Sequence, residues 1–228
     1  MTKQYIQALV VGFAVLLAER LSFSQVVTVT WGAQNTTGLG TADGNPAPVG
    51  SLVRVGYFDI SDAMIQANQG DLNFLNTHFT QFGSGAVGDD GAVPAALPAR
   101  YWNKISTGST VSLGINTQQI YLWTFNASTL GAATQEGIFY APKASNTAWH
   151  FPSDTDVPAT TTIDLNQVTT FVVGALGPET IVSPFDSMTY PITKMAVVPE
   201  PSSYASVFGL LCLGGVLVRK KLLRLPAC

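Results

Sequence analysis

Two histidines, His78 and His150, are the side chains best suited to act as general bases near neutral pH. His150 lies close in sequence to Asp154 and Asp156, a grouping typical of a general base or a metal-ligand set. Pro152 indicates a strand-to-turn corner at this point, where aspartates commonly cap backbone groups. His78 falls near the apolar side of a predicted helix. Structural roles are therefore favoured for both histidines, and a secreted hydrolase using His150 with either aspartate remains an alternative.

Other catalytic and metal-binding patterns are missing from residues 25–198, which we call the body. The body has no cysteine, no Gly-x-Ser-x-Gly elbow, no His-Glu-x-x-His motif and no P-loop. Asp89-Asp90-Gly91 and Asp154-Thr155-Asp156 cluster oxygen ligands of the kind that Ca²⁺ prefers, but neither run continues into an EF-hand pattern. Solvated acidic turns are favoured instead. The sequence predicts a protein that is not an enzyme, with no metal and no cofactor.

Aromatic side chains provide an alternative based on binding. Exposed aromatic faces on a β-rich body could stack on sugar rings. Tyr101 and Trp102 follow a Pro-rich loop and are the best candidates for exposure, whereas Trp123 lies between apolar neighbours and is predicted to be in the core. A carbohydrate-binding module contacting sugar through Tyr101 and Trp102 is therefore the second hypothesis.

The charge of the body excludes one class of partner. Residues 25–198 contain five basic and twelve acidic side chains, a net charge of −7 against −3 for the whole chain. Nucleic-acid binding requires clustered Lys and Arg, so it is excluded. Both cysteines, Cys212 and Cys228, follow the body, which must therefore fold without disulfides.

The composition of the body favours strands joined by turns. It is rich in Thr, Ser, Gly, Val and aromatic residues and poor in Lys, Glu and Leu. Strands are predicted at 25–31, 51–60, 110–115, 119–126, 138–141, 147–151, 160–165, 170–176 and 186–198. Many short strands with frequent turn signals predict a mainly β fold, specifically a β-sandwich with one or two short helices.

The strongest helix signal begins at Asp71, a favourable N-cap residue. Apolar residues then recur at helical spacing through Leu75 to Phe82, and Gly83 is expected to end the helix. A shorter helix is predicted within 61–69. A surface loop is predicted from Gly83 to Pro98.

The first 24 residues have the layout of a secretory signal peptide. Lys3 is followed by an apolar stretch from Ile6 to Ala18, and small residues precede a predicted cleavage between Ser24 and Gln25. A retained N-terminal anchor is the alternative. In both cases Lys3 stays in the cytoplasm and the body is exported.

The last thirty residues combine three features in a fixed order. Pro199-Glu200-Pro201-Ser202 is followed by an apolar run from Tyr204 to Val218 and then by the basic residues Arg219, Lys220 and Lys221. This arrangement resembles the sorting signal of PEP-CTERM proteins, which are exported by bacteria that make extracellular polysaccharide. The resemblance covers residues 199–228. It departs from the family where basic and apolar residues continue from Leu222 to Cys228.

The resemblance implies a fate for the chain. A membrane-embedded cysteine protease, exosortase, would process the motif while the apolar run holds it at the membrane. The fifteen residues from Tyr204 to Val218 reach only about 22 Å as a helix, so flanking leucines would extend the span while basic side chains reach the interface. A permanent, uncleaved anchor is the alternative. The expected location is the inner membrane before sorting and then the cell surface, outer membrane or extracellular matrix, with exopolysaccharide as a partner.

Overall fold

The computed structural model describes residues 26–33, 37–91, 97–183 and 187–198. These residues form twelve strands, two short helices and three 3-10 turns, which confirms the mainly β prediction. The strands are β1 Val27–Ala33, β2 Leu39–Gly40, β3 Leu52–Phe58, β4 Phe79–Ala86, β5 Trp102–Gly108, β6 Tyr121–Phe125, β7 Gln135–Tyr140, β8 Thr160–Asp164, β9 Thr170–Val173, β10 Ala175–Val182, β11 Thr189–Lys194 and β12 Ala196–Val197. The helices are α1 Asp62–Ala67 and α2 Leu72–Thr77.

The largest sheet has the order β12-β7-β6-β3-β4. Its pairs are antiparallel, and β9 also pairs with β7. Strands β12 and β9 share one edge of β7, because β12 pairs with Gln135 and Glu136 while β9 pairs with Ile138 to Tyr140. The central strand β6 is buried along its whole length, as its apolar sequence predicts.

Two three-stranded sheets complete the body. In the first, β1 lies between β5, with which it is antiparallel, and β8, with which it is parallel. In the second, β10 and β11 form a hairpin, and β11 pairs in parallel with the two-residue strand β2. These parallel pairs join segments that are distant in sequence.

The six-stranded sheet carries apolar residues on both faces. One face shares a core with the β5-β1-β8 sheet, including Val29, Trp31, Val55, Leu122, Phe139 and Ile163. The other face packs under α1 and α2, with Phe58, Ile65, Leu75, Trp123, Phe125 and Ile138. We call the first group the inner core and the second the outer core.

The two helices are short and depend on the sheet. Ser61 accepts a hydrogen bond from the Met64 amide at 3.3 Å, and Asp71 accepts one from the Phe74 amide at 2.9 Å. These N-caps satisfy amides that would otherwise lack partners. Six-residue helices are not stable alone in water, so burial of Ile65 and Leu75 in the outer core stabilises them.

The predicted helix from Asp71 to Phe82 is correct only in its first half. Helix α2 ends at Thr77, and Phe79 begins β4. Phe79 pairs with Phe58 and packs in the outer core, while Phe82 contacts Phe151 next to the inner core. Pairing with β3 therefore outweighs the helical spacing of these phenylalanines, and places them on opposite faces of the sheet.

Three other expectations are also wrong. Residues 110–114 form a turn, and 147–149 form a 3-10 turn in place of a strand. Strand β4 occupies the first part of the predicted loop at 83–98. Strand β5 was not predicted, because its polar and charged residues lack an apolar run.

Candidate functional site

The residues predicted to form the sorting and cleavage sites lie outside the described part of the chain. They are Ser24, Gln25, Pro199, Glu200, Pro201, Ser202, Arg219, Lys220 and Lys221. Within the described ranges, no helix has both the length and the hydropathy needed to cross a membrane. The structure contributes instead the geometry of the chain directly before the motif.

Tyr101 and Trp102, the best candidates for exposure under the carbohydrate-binding hypothesis, are instead buried. Their relative exposures are 2% and 0%. Trp102 begins β5, pairs with Ala33 and packs in the inner core, so neither ring presents a face to a sugar. Trp31, Trp123 and Trp149 are also fully buried. Stacking on tryptophan, the basis of the carbohydrate-binding hypothesis, is therefore not available on this surface.

The two histidines occupy different environments. His78 caps α2, and its Nδ1 lies 2.8 Å from Asp59 Oδ1 while its ring packs against Phe74. His150 forms a bridge with Gln119 at the end of a 3-10 turn. Both histidines therefore take part in contacts within the fold.

The acidic runs cap the backbone. Asp156 Oδ2 accepts from the Ser153 amide at 2.9 Å, and Asp89 Oδ2 accepts from the Ala86 amide at 3.1 Å while pairing with Lys104. No group of three or more His, Cys, Asp or Glu side chains in the described ranges could hold a metal ion. The runs therefore cap turns but are not fully solvated as expected, because Asp154 is 7% exposed and Asp90 forms a bridge with Asn103.

The end of the body is held by strand β12. Ala196 pairs with Glu136 and Val197 with Gln135 at the edge of β7. One residue later, the Val198 amide donates to the Thr134 carbonyl oxygen at 2.8 Å, and the Val198 side chain is 9% exposed. The residue directly before Pro199 is therefore hydrogen-bonded into the body.

A groove of about 700 Å³ opens beside Val198. It is lined by the segment Asn68 to Asp71, which links α1 and α2, and by Leu130, Ala133 and Val198. We call this feature the exit groove, because the chain passes from it into the predicted sorting motif.

Glu136 joins the wall of the exit groove to the six-stranded sheet. Its carboxylate accepts from the Gly70 amide and from the Trp123 indole N–H, both at 2.9 Å. The side chain is 1% exposed, and burial raises its pKa, while the two hydrogen bonds act in the opposite direction. Sequence analysis did not predict this role for Glu136, because the strand predicted there, 138–141, begins two residues after it.

Two further polar groups on the outer core were also missed. Arg54 lies over the Phe79 and Trp123 rings, at 4.7 and 5.0 Å, and donates to the amide oxygens of Gln81 and Asn76. The second group is the Asp62 carboxylate, which accepts from the hydroxyls of Tyr121 and Tyr140 at 3.1 and 2.6 Å. The second group anchors the first turn of α1 to the sheet.

Comparison of the chain with protein-family models, with curated proteins and with solved structures gives no match.

Proposed function

We propose that the protein is an exported, non-enzymatic surface or matrix protein with a β-sandwich-like body, sorted through its PEP-CTERM-like C-terminus. An N-terminal signal peptide, residues 1–24, directs export. An exosortase-type protease acts near Pro199 to Ser202, and the apolar run from Tyr204 to Val218 holds that region at the membrane. Arg219 to Lys221 orient the run with its basic end in the cytoplasm.

The order of the three features in residues 199–221 carries the proposal, and the fold is compatible with it. Val198, the residue directly before the Pro-Glu-Pro motif, is held in the body by the hydrogen bond from its amide to the Thr134 carbonyl oxygen. All four tryptophans, Trp31, Trp102, Trp123 and Trp149, are buried in the body. These features support a body whose role is to be delivered and to form surface or matrix material, with exopolysaccharide as its expected partner.

The test is mass spectrometry of both termini on protein recovered from the native host, fraction by fraction. We expect a mature N-terminus at Gln25 and a C-terminus near Pro199 to Ser202 in surface or matrix material. An intact Arg219 to Cys228 tail in the membrane fraction would show a permanent anchor and remove the exosortase assignment.

A matched pair of variants makes the test specific. Replacing both Pro199 and Pro201 by Ala should leave the C-terminal tail attached, because the recognised motif is gone. Pro178 lies on the exposed part of β10, so P178A removes a proline outside the motif and should be processed normally. Equal processing of both variants would contradict recognition of the motif.

A further inference from the structure

The segment before β5 holds Arg100 in a backbone conformation that an arginine rarely adopts. Its φ is 75°, in the left-handed region that favours glycine and asparagine. Two main-chain hydrogen bonds fix it there: the Arg100 amide donates to the Ala47 carbonyl oxygen at 3.1 Å, and the Arg100 carbonyl oxygen accepts from the Leu39 amide at 2.9 Å. Residues held in such conformations are concentrated at binding and active sites.

The charge of Arg100 lacks a counterpart within the described ranges. Of the five basic side chains of the body, the other four each have a polar partner there. They are Arg54 with Gln81 and Asn76, Lys104 with Asp89, Lys143 with the Thr117 carbonyl oxygen, and Lys194 with Glu179. The described residues provide no ion pair for Arg100, and its Nη1 is buried without a hydrogen-bond partner. A buried donor on a charged group is costly to leave unpaired, so this one indicates that a bound group completes it.

The Arg100 side chain lines a crevice of about 470 Å³. A Cβ at position 38 would lie 2.5 Å from Arg100 Cδ and 2.9 Å from Ile181 Cδ1, so Gly38 makes room for the arginine side chain and fixes its path. An apolar crevice with one positioned polar group is the usual form of a small-ligand site. Its apolar lining includes Pro46, Pro98, Ile181 and Val182.

We infer that this crevice, which we call the Arg100 crevice, binds the carboxylate of a uronate, an acidic sugar, in an extracellular polysaccharide. A guanidinium presents a planar fork of N–H donors that matches a carboxylate. One cation balances a singly charged group. A phosphate monoester carries about −1.5 to −2 and would leave excess negative charge on a body with five basic and twelve acidic side chains.

The walls of the Arg100 crevice suit a sugar ring better than a small free acid. Pro46 and Pro98 are rigid and lack an N–H, so they offer apolar surface against which the C–H groups of a sugar ring can pack. Val182 is 66% exposed, so a polysaccharide chain can continue past this part of the lining. The inference rests on the proposed function, in which exopolysaccharide is the partner, and adds the chemical class of that partner.

Three probes added to the full-length protein in neutral detergent test the inference. Methyl glucuronide carries both the sugar ring and the carboxylate, methyl glucoside has the ring without the carboxylate, and acetate has the carboxylate without the ring. We expect methyl glucuronide to bind and the other two to bind at least about tenfold more weakly, because each lacks one of the two contacts. Saturation-transfer NMR titration measures the three dissociation constants.

Substitution R100N removes the cation at a position where asparagine suits the backbone. It should lower the affinity for methyl glucuronide at least about tenfold, while its midpoint of thermal unfolding stays equal to or above that of wild type. R100K keeps the charge without the planar fork and should bind with intermediate affinity. K143N is the matched control, because it removes one positive charge from an exposed turn and should bind as wild type does.

Substitution V182D leaves Arg100 in place and adds a carboxylate to the lining of the crevice. That carboxylate competes with the ligand for the guanidinium, so V182D should also weaken binding of methyl glucuronide. V157D adds the same charge at another exposed valine, outside the crevice lining, and should bind as wild type does. If R100N does not fold, the comparison of V182D with V157D decides, and equal affinities would overturn the inference.

The remaining outcomes separate the inference from the proposed function. Equal binding of methyl glucuronide to wild type and to folded R100N would overturn the inference, as would equal binding of the glucuronide and the glucoside. Acetate that binds as tightly as the glucuronide would show a site for anions without recognition of a sugar, and would overturn it too. Normal processing of both termini without glucuronide binding overturns the inference alone. An intact C-terminal tail together with Arg100-dependent binding overturns the sorting assignment alone.

Discussion

At the scale of single residues, Glu136 is a carboxylate buried where the cost of its charge is high. Its two hydrogen bonds, from the Gly70 amide and the Trp123 indole, favour the ionised form, but burial dominates and raises its pKa. A carboxyl group whose pKa is raised in the folded state binds protons more tightly there than in the unfolded chain. Its contribution to stability is therefore present below the ordinary pKa and is lost as pH rises through the folded value.

Substitution E136Q tests this sign. In wild type, the free energy of unfolding should fall as pH rises above about 4.5, because Glu136 then loses its proton in a buried position. E136Q cannot lose a proton there, so the variant should lack this fall. Urea unfolding of the body at a series of pH values measures the difference. E179Q is a control of opposite sign, because the hydrogen bond from Lys194 lowers the pKa of Glu179. A parallel pH dependence in wild type and E136Q would contradict the assignment.

Arg54 is expected to stabilise the outer core through its planar shape as well as its charge. Burial lowers its pKa to about 10, which leaves the guanidinium cationic at neutral pH. R54K keeps the charge but cannot reproduce both the ring contacts and the two amide hydrogen bonds, so we expect a loss of about 1–2 kcal/mol. K143R replaces one cationic side chain by another on an exposed turn, and it should change stability by less than about 0.5 kcal/mol. Thermal unfolding of the two variants measures the contrast.

At the scale of elements, a glycine allows the close approach of β3 and β4. The register of the two strands shifts between Val55 and Gly56, and a Cβ at Gly56 would clash with the Thr80 carbonyl oxygen and the Phe79 ring. G56A should therefore cost about 1–3 kcal/mol through overpacking. G131A is the matched control, because a Cβ at Gly131 meets nothing within 4 Å. Equal denaturation midpoints for the two variants would contradict this reading of the bulge.

The elements also show how far the sequence determines the fold. Strands β3 and β6 were predictable because their apolar residues are continuous or alternate, and the N-cap at Asp71 correctly marked the start of α2. The end of α2 was not predictable, because Phe79 and Phe82 fit a helix locally and contact different cores only after β4 pairs with β3. The exit groove depends on pairing between β7 and β12, and the buried position of Glu136 depends on the approach of Gly70, so both features join segments that are far apart in sequence.

For the whole molecule, the free energy of local opening should fall from the buried centre of the six-stranded sheet to its C-terminal edge strand, β12. Strand β6 is paired on both sides and buried throughout, whereas β12 is a two-residue edge strand. Native-state hydrogen exchange should therefore show the Val198 amide opening locally, and the β6 amides exchanging only with global unfolding. Equal protection at Val198 and in β6 would show that β12 opens only when the entire body unfolds.

The position of β1 sets a delay during synthesis. Thr28 pairs with Thr107 on one side and with Thr160 on the other, so the second partner is made 132 residues after Thr28. At ~5–20 residues per second, the wait is roughly 7 to 26 s. During that time one edge of Val26 to Trp31, an uncharged segment of high β-propensity, lacks its partner strand even after β5 has been made, and is exposed to association with other chains. A chaperone that holds nascent chains is therefore expected to act on this segment first.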